Sequence, residues 1–134
     1  NSFRPSGRLA APYVVVAAGA CAAKTDEEAA YLRTAQMLAF ARLRTGRPGK
    51  LPLPVDDIEA EVPAPVLAGV RQALGCSATG GPDTVKAQLA ALIARHEPDE
   101  LMVTGMIHDH AARIRSFQIV AEALKALQSE RVAA

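Results

Sequence analysis

The stretch that decides the fold reads Asp99-Glu-Leu-Met-Val-Thr-Gly105 and continues as Met106-Ile-His-Asp-His110. Its first part is a short apolar run, typical of a buried β-strand, and the glycine marks the end of that strand. Apolar residues then recur three or four positions apart, which predicts a helix from about His110 to Glu130. In α/β proteins, ligands bind beyond the carboxyl ends of the strands. The segment therefore places His108 and His110 at a potential reaction centre.

A second strand is predicted near the amino terminus. The run Pro12-Tyr-Val-Val-Val-Ala17 is rich in β-branched residues and does not alternate, which favours a strand buried on both faces. After it, Thr25-Asp-Glu-Glu28 has the form of a capping box, in which Thr25 and Glu28 bond each other's backbone N–H groups. A helix is predicted over 26–45, and Gly46 ends it.

Five prolines crowd the segment 47–65, which predicts a long connection with little regular structure. A surface excursion is the favoured interpretation of this segment, and a lid over a site is the alternative. A short helix over 65–74, a strand over 76–79 and a helix from Pro82 to about His96 are predicted next. Strands that alternate with helices indicate an α/β fold of parallel βαβ units in a single domain over 1–134.

Composition excludes several classes of protein. The 134 residues suffice for one domain with a modest core. Fifteen Lys and Arg balance fourteen Asp and Glu, so no basic surface for nucleic acid is indicated. The apolar stretch 9–23 is too short for a membrane span and contains Pro12. Two cysteines do not make a disulfide framework, so buried thiols and a cytoplasmic protein are expected.

The turn Gly80-Gly81-Pro82 is a candidate cofactor-binding element. It lies between a predicted strand and a predicted helix, where free backbone N–H groups attract phosphate. The competing interpretation is a tight turn in which Gly81 only caps the helix. The motif is far from a complete nucleotide-binding fingerprint, so it is weak evidence.

His108, His110 and Arg113 are candidates for the wall of a substrate pocket. Arg113 follows His110 by three residues and projects from nearly the same side of the helix. The two histidines also invite a metal hypothesis, but a competent site needs at least a third ligand from another element, and no metal is expected. Asp109 is expected to cap the last helix. No catalytic residue is identified.

The order of these segments resembles the luciferase-like, flavin-dependent monooxygenases. The resemblance covers nearly the whole chain and rests on the following pieces: Phe3-Arg-Pro-Ser6, Pro12-Tyr-Val14, Ala23-Lys-Thr-Asp-Glu-Glu-Ala29, the Pro-rich excursion, Gly80-Gly-Pro-Asp-Thr-Val85, Asp99-Glu-Leu-Met-Val103 and Asp109-His-Ala-Ala-Arg113. Gly81 stands where the family often has Ser, which weakens a phosphate role for this turn.

The resemblance implies a C-terminal part of a TIM (β/α)₈ barrel, with about three parallel strands, six to eight, and their helices. The intact enzyme would use FMN or another reduced flavin and O₂ to oxidise a small organic substrate. Most flavin contacts would come from earlier strands, so the chain alone is expected to be inactive and to bind no flavin.

The partners expected from the resemblance are the remaining N-terminal half of the barrel and, because the family often forms dimers, a second copy. Two alternatives stay open. One is a stand-alone, non-catalytic α/β interaction module. The other is a small metal enzyme built on His108 and His110.

Overall fold

The computed structural model describes the backbone of residues 3–133 and the side chains of residues 3–130. The elements follow in the order β1 (Val15–Ala22), α1 (Asp26–Arg44), α2 (Ile58–Glu61), α3 (Ala64–Ala73), β2 (Ser77–Gly80), α4 (Pro82–His96), β3 (Glu100–Thr104) and α5 (His110–Ala133). The predicted alternation of strands and helices is confirmed. In the described range, no helix is both long enough and apolar enough to cross a membrane.

The strands form a parallel sheet in the order β2-β1-β3. β3 pairs with the amino-terminal part of β1, from Val15 opposite Glu100 to Gly19 opposite Thr104. β2 pairs with the carboxyl part, from Gly19 opposite Ser77 to Ala22 opposite Gly80. The prediction of parallel strands is therefore confirmed, but the two neighbours of β1 are staggered along its length.

The assignment of these strands to three consecutive barrel strands does not describe this sheet. Consecutive strands of a (β/α)₈ barrel are bonded in chain order, whereas here β1 lies between β2 and β3. β2 has only four residues and pairs with β1 only over the carboxyl part of β1. The chain then crosses back through α4 and adds β3 to the other edge of β1. β1 is therefore the central strand and pairs with both others, and the segment from α1 to α4 lies between β1 and β3 in the chain.

One face of the sheet is covered by helices. Ala20 and Ala22 of β1 and Ala78 of β2 form a core with α4 and α5, whose contributions are Val85, Leu89, Val120 and Ala123. Leu101 and Val103 of β3 pack against the same core. The alanines let the helices approach closely, and Leu89 and Val85 fill the space between them with no exposed surface. This core stabilises the sheet and both helices together.

The other face of the sheet is largely bare along β1 and β3. Val15 and Met102 are 47% and 57% exposed, and Ala17 and Thr104 beside them are exposed too. The prediction that residues 12–17 are buried on both faces is therefore wrong: the strand begins three residues later and its first half is open. The expectation came from composition, and described residues cover this face only at the carboxyl end of β1, where Cys21 packs against Ala29 and Leu32 of α1.

The Pro-rich excursion is packed against α1, and a single helical turn, α2, interrupts it. Asp57 caps this turn by accepting from the N–H groups of Glu59 and Ala60. Val62 joins Leu67 and Val70 of α3 in a core against α1. The excursion therefore has slightly more regular structure than predicted.

Local details refine the other predictions. Thr25 caps α1 by accepting from the Glu28 N–H at 3.2 Å, as predicted, but the Glu28 carboxylate accepts from Lys24 rather than Thr25. Cys21 is buried and Cys76 is exposed, and both are free thiols. The expectation of two buried thiols is right for Cys21 and wrong for Cys76, which precedes β2 at the sheet edge.

Candidate active site at the carboxyl end of the sheet

The carboxyl ends of β1 and β3 meet the start of α5. Ile107 is fully buried against Cys21, Ala23 and the first turns of α1, which fixes the connection between β3 and α5. Asp109 then caps α5, since its carboxylate accepts from the Ala112 N–H at 2.7 Å. The predicted capping role of Asp109 is confirmed. The short turn that bears the two histidines is thus held rigidly from both sides.

His110 and Arg113 are in contact at the start of α5, and His108 lies in the turn just before it. The Arg113 guanidinium lies 2.7 Å from Nδ1 of His110. An arginine can only donate, so Nδ1 of His110 is the acceptor and its Nε2 carries the proton. Both histidines are exposed and Arg113 is half-buried. The arrangement offers hydrogen-bond donors to a polar group, and the role of these residues in a substrate pocket stays a prediction.

The residues near the two histidines do not complete a metal site. Within the described part of the chain, no group of three or more His, Cys, Asp or Glu residues is placed to hold a metal ion. The carboxylate nearest in sequence, Asp109, is already bonded to the Ala112 N–H.

The Gly80-Gly81 turn is engaged by an acidic side chain. The Asp26 carboxylate accepts from the Gly81 N–H at 2.6 Å and from the Thr84 hydroxyl at 3.0 Å. These two bonds lower the pKa of Asp26 below its ordinary value, and the bond from the Gly81 N–H has the larger effect. Gly80 has φ +151, and a Cβ there would lie 2.6 Å from the same carboxylate. Gly81 is the N-cap of α4, as the competing interpretation expected.

This geometry does not fit a flavin phosphate at the turn. A phosphate would need the N–H group that Asp26 occupies, and it would lie beside a like charge. The predicted cofactor role of Gly80 and Gly81 stays a prediction, and the Asp26 contact counts against it.

Several polar residues at this end of the sheet are structural. Ser116 is 2% exposed, and its hydroxyl accepts from the Ala22 N–H at 2.8 Å, where β1 leaves the sheet. Arg115 lies 3.9 Å from Glu28 across the surface. Ser116 therefore joins α5 to β1 and is not placed as a nucleophile, in agreement with its lack of a nucleophile motif.

Two residues with defined roles were missed by sequence reasoning. Asp26 joins α1 to the turn before α4, and Arg33 donates to the Leu74 carbonyl oxygen and to Ser77 Oγ. Their partners lie 41 to 55 residues away in the sequence. No local pattern signals such contacts, so Asp26 looked like an ordinary first-turn acid.

The fold and this site define the class of the protein: an α/β domain in which a parallel βαβ unit carries polar side chains at its carboxyl end. Sequence comparison gives the family. The chain is 36% identical over 119 residues to a luciferase-like monooxygenase of Escherichia coli (strain K12), covering 89% of the chain and 36% of that relative. It is 38% identical over 125 residues to the uncharacterized protein YvbT of Bacillus subtilis (strain 168), covering 93% of the chain and 37% of that relative.

A solved structure agrees with the sequence comparison. The crystal structure of apo-MsnO8 matches with a TM-score of 0.74 and 32% sequence identity, over 92% of this chain and 38% of that one. No protein-family model matches the chain. The chain belongs to the luciferase-like monooxygenase family, and it spans somewhat more than a third of the length of the relatives it matches.

Proposed function

We propose that the chain is the C-terminal part of a flavin-dependent monooxygenase, in which β1 and β3 are neighbouring strands of a (β/α)₈ barrel. In this proposal the bare face of the sheet is the barrel interior and α4 and α5 lie outside. The carboxyl ends of β1 and β3, with His108 and His110, then face the reaction chamber, where TIM barrels place their active sites. The intact protein oxidises a small organic substrate.

The observation that carries this proposal is the contrast between the two sheet faces. Val15, Ala17 and Met102 form an exposed, mainly apolar surface on strands whose other face packs against α4 and α5. A parallel sheet is usually covered on both faces. Further strands that close a barrel would cover this surface.

The edge of β1 supports the same proposal. Gly19 donates to the Cys76 carbonyl oxygen, which shows that alternate residues of β1 point toward the β2 side. By this alternation the backbone groups of Val15 and Ala17 also point toward the β2 side of β1. β2 does not reach that far, because it pairs only with Gly19 to Ala22. Their backbone N–H groups would pair with a further strand, since unpaired edges invite strand addition.

The chain's own residues have limited roles in the proposed chemistry. Bound reduced flavin would activate O₂ and supply the electrons for substrate oxidation. His110 would offer its Nε2–H to a polar group of the substrate, with Arg113 holding the ring in that tautomer. The flavin itself would be held mainly by the rest of the barrel, because the Gly80-Gly81 turn is occupied by Asp26.

Flavin binding by the full-length gene product tests the proposal. We expect the full-length protein to bind FMN or another flavin with saturable quenching of flavin fluorescence, and the 134-residue chain to bind none. Substrate-dependent oxygen uptake should appear only with the full-length protein and reduced flavin. A full-length protein that binds no flavin would contradict the proposal.

The alternative function is a stand-alone α/β interaction module, and the bare sheet face would suit a partner protein equally well. This alternative expects a native gene product that begins near residue 1. The intact mass of that product distinguishes the two: a mass well above 14.1 kDa favours the barrel. The proposals of a cytoplasmic location and of a homo-oligomer need separate measurements.

A further inference from the structure

β3 is the strand of the sheet that the helices cover least. α4 packs chiefly on β2 and α5 chiefly on β1, so neither helix is centred on β3. Leu101 and Val103 of β3 contact the core under these helices but are only partly buried. The covered face of a parallel sheet normally carries helices across its whole width. The helix layer therefore ends before the sheet does.

The flank of α5 that borders this gap is apolar. Phe117 is 40% exposed, and its ring lies beside Gly105, directly after β3, where an added Cβ would lie 3.2 Å from the ring's Cζ. Farther along α5, Leu124 and Leu101 line a shared cleft of about 220 Å³. We call the surface formed by Leu101, Val103, Phe117 and Leu124 the β3 groove. It runs beside β3 from the start of the strand to its end.

The exposed residues of α5 are divided into an apolar and a polar set. Phe117 and Ala121 are exposed and lie four positions apart, on the side of α5 that borders the β3 groove. The exposed polar residues lie farther round the helix: Gln118, Glu122 and Lys125. A helix with one neighbouring layer needs a single apolar stripe, and α5 already buries Val120 and Ala123 in the core. The additional apolar side of α5 therefore indicates a second neighbour.

The free edge of β3 lies next to the β3 groove. The Glu100 N–H donates to the Val14 carbonyl oxygen, so the backbone groups of alternate β3 residues face β1. By the same alternation the N–H groups of Leu101 and Val103 face away from β1, toward the free edge. A parallel strand added there would bring its own helix, which would pack beside α5 as α4 does on the other side. One βα unit would therefore fill both the edge and the groove.

We propose that the β3 groove receives an amphipathic helix from the part of the full-length protein that precedes this chain, and that the strand of the same βα unit joins the edge of β3. The helix presents its apolar stripe to Phe117 and Leu124. The inference rests on the proposed function, because a closed barrel needs a βα unit on this side of β3. The luciferase-like monooxygenase of Escherichia coli has ample length for such a unit, since this chain covers 36% of it.

Thiol labelling beside the groove tests the proposal. Ala121→Cys places a small probe at an exposed position on the groove side of α5, and mass spectrometry of its peptide reports iodoacetamide labelling separately from other thiols. The introduced thiol should react at least about tenfold more slowly in the full-length protein than in the 134-residue chain, because a packed helix blocks access. Glu122→Cys, exposed and farther round the helix, is the matched control, and its labelling rate should differ less than about twofold between the two proteins.

Equal labelling of Ala121→Cys in the two proteins would overturn the proposal. Protection that is lost on dilution, or that develops in the 134-residue chain as its concentration rises, would assign the groove to a second copy and overturn it too. Hydroxyl-radical footprinting of Phe117 in the two wild-type proteins makes the same comparison without a substitution. It should show less oxidation of this ring in the full-length protein.

Failure of this inference and failure of the proposed function give different results. A full-length protein that binds flavin but leaves the thiol of Ala121→Cys as reactive as in the 134-residue chain contradicts the β3 groove assignment alone. Protection of this thiol in a full-length protein that binds no flavin contradicts the flavin chemistry and supports the groove assignment.

Discussion

The two faces of the sheet are built from the same strands but are buried to different extents. On one face, small residues of β1 are buried against α4 and α5, and Leu101 and Val103 of β3 pack partly buried against the same core. On the other, Val15 and Met102 are about half exposed. Both faces are apolar, so composition does not explain the difference. The covered face therefore stabilises this chain, whereas in the proposed function the bare face would be covered by further strands of the barrel.

Truncation of a side chain on each face should give the largest contrast. Leu89 has no exposed surface, so Leu89→Ala should lower the free energy of unfolding by about 2–5 kcal/mol. Met102→Ala on the bare face should change it by less than about 0.5 kcal/mol. Urea denaturation of the 134-residue chain measures both. Similar losses for the two variants would show that the bare face is covered in this chain, for example by self-association.

The join between α5 and the end of β1 should show the next largest effect. Ser116→Ala removes the acceptor of the buried Ala22 N–H, and an unsatisfied buried donor costs about 1–3 kcal/mol. Ser129 also lies on α5 but is exposed, so Ser129→Ala is the matched control and should be nearly neutral. An unfolding free energy for Ser116→Ala equal to that of the control would contradict the assigned role.

The contact of Asp26 with the Gly80-Gly81 turn should make stability depend on acid pH. The pKa of Asp26 is lowered in the folded protein, so its contribution is present above its unfolded pKa near 3.8 and is lost as pH falls below that value. Asp26→Asn should therefore destabilise the chain at pH 7 and lose this disadvantage below about pH 4. Asp83→Asn, in the first turn of α4, is the control. A pH-independent difference between wild type and Asp26→Asn would contradict the account.

The reactivities of the two thiols should differ between the covered and the exposed parts of the sheet. Burial raises the pKa of Cys21 to about 11, whereas Cys76 is exposed at the sheet edge. At pH 8 only about one thousandth of Cys21 would be thiolate even if it were reached by reagent. Mass spectrometry after brief iodoacetamide treatment should find Cys76 modified and Cys21 intact. Equal modification of both thiols would show that the carboxyl end of β1 opens readily.

Local sequence patterns predicted the elements well and their arrangement less well. The N-cap Thr25 marks the start of α1, Pro82 as first helical residue marks the start of α4, and the spacing of apolar residues predicted α5. The order of the strands was not predictable from the sequence. The sequence of β2 is that of an ordinary short strand, and nothing in it indicates that it pairs only with the carboxyl end of β1. The exposure of Val15 was missed because β-branched residues look alike whether or not a second layer is present.

In the candidate site, too, local roles were predictable from the sequence and contacts between distant residues were not. The capping role of Asp109 followed from local pattern and is confirmed. The occupation of the Gly81 N–H by Asp26 joins residues 55 positions apart, so only the folded chain reveals it. His108, His110 and Arg113 are brought to one end of the sheet, and their role in a substrate pocket stays a prediction.

Hydrogen exchange at the open edge of β1 tests the central claim most directly. The backbone N–H groups of Val15 and Ala17 should exchange quickly in the 134-residue chain and slowly in the full-length gene product, where a further strand would bond them. The amide of Ala22, bonded to Ser116, should be protected in both proteins. Rapid exchange of Val15 and Ala17 in the full-length protein would contradict the claim that this edge and face belong to the interior of a closed barrel.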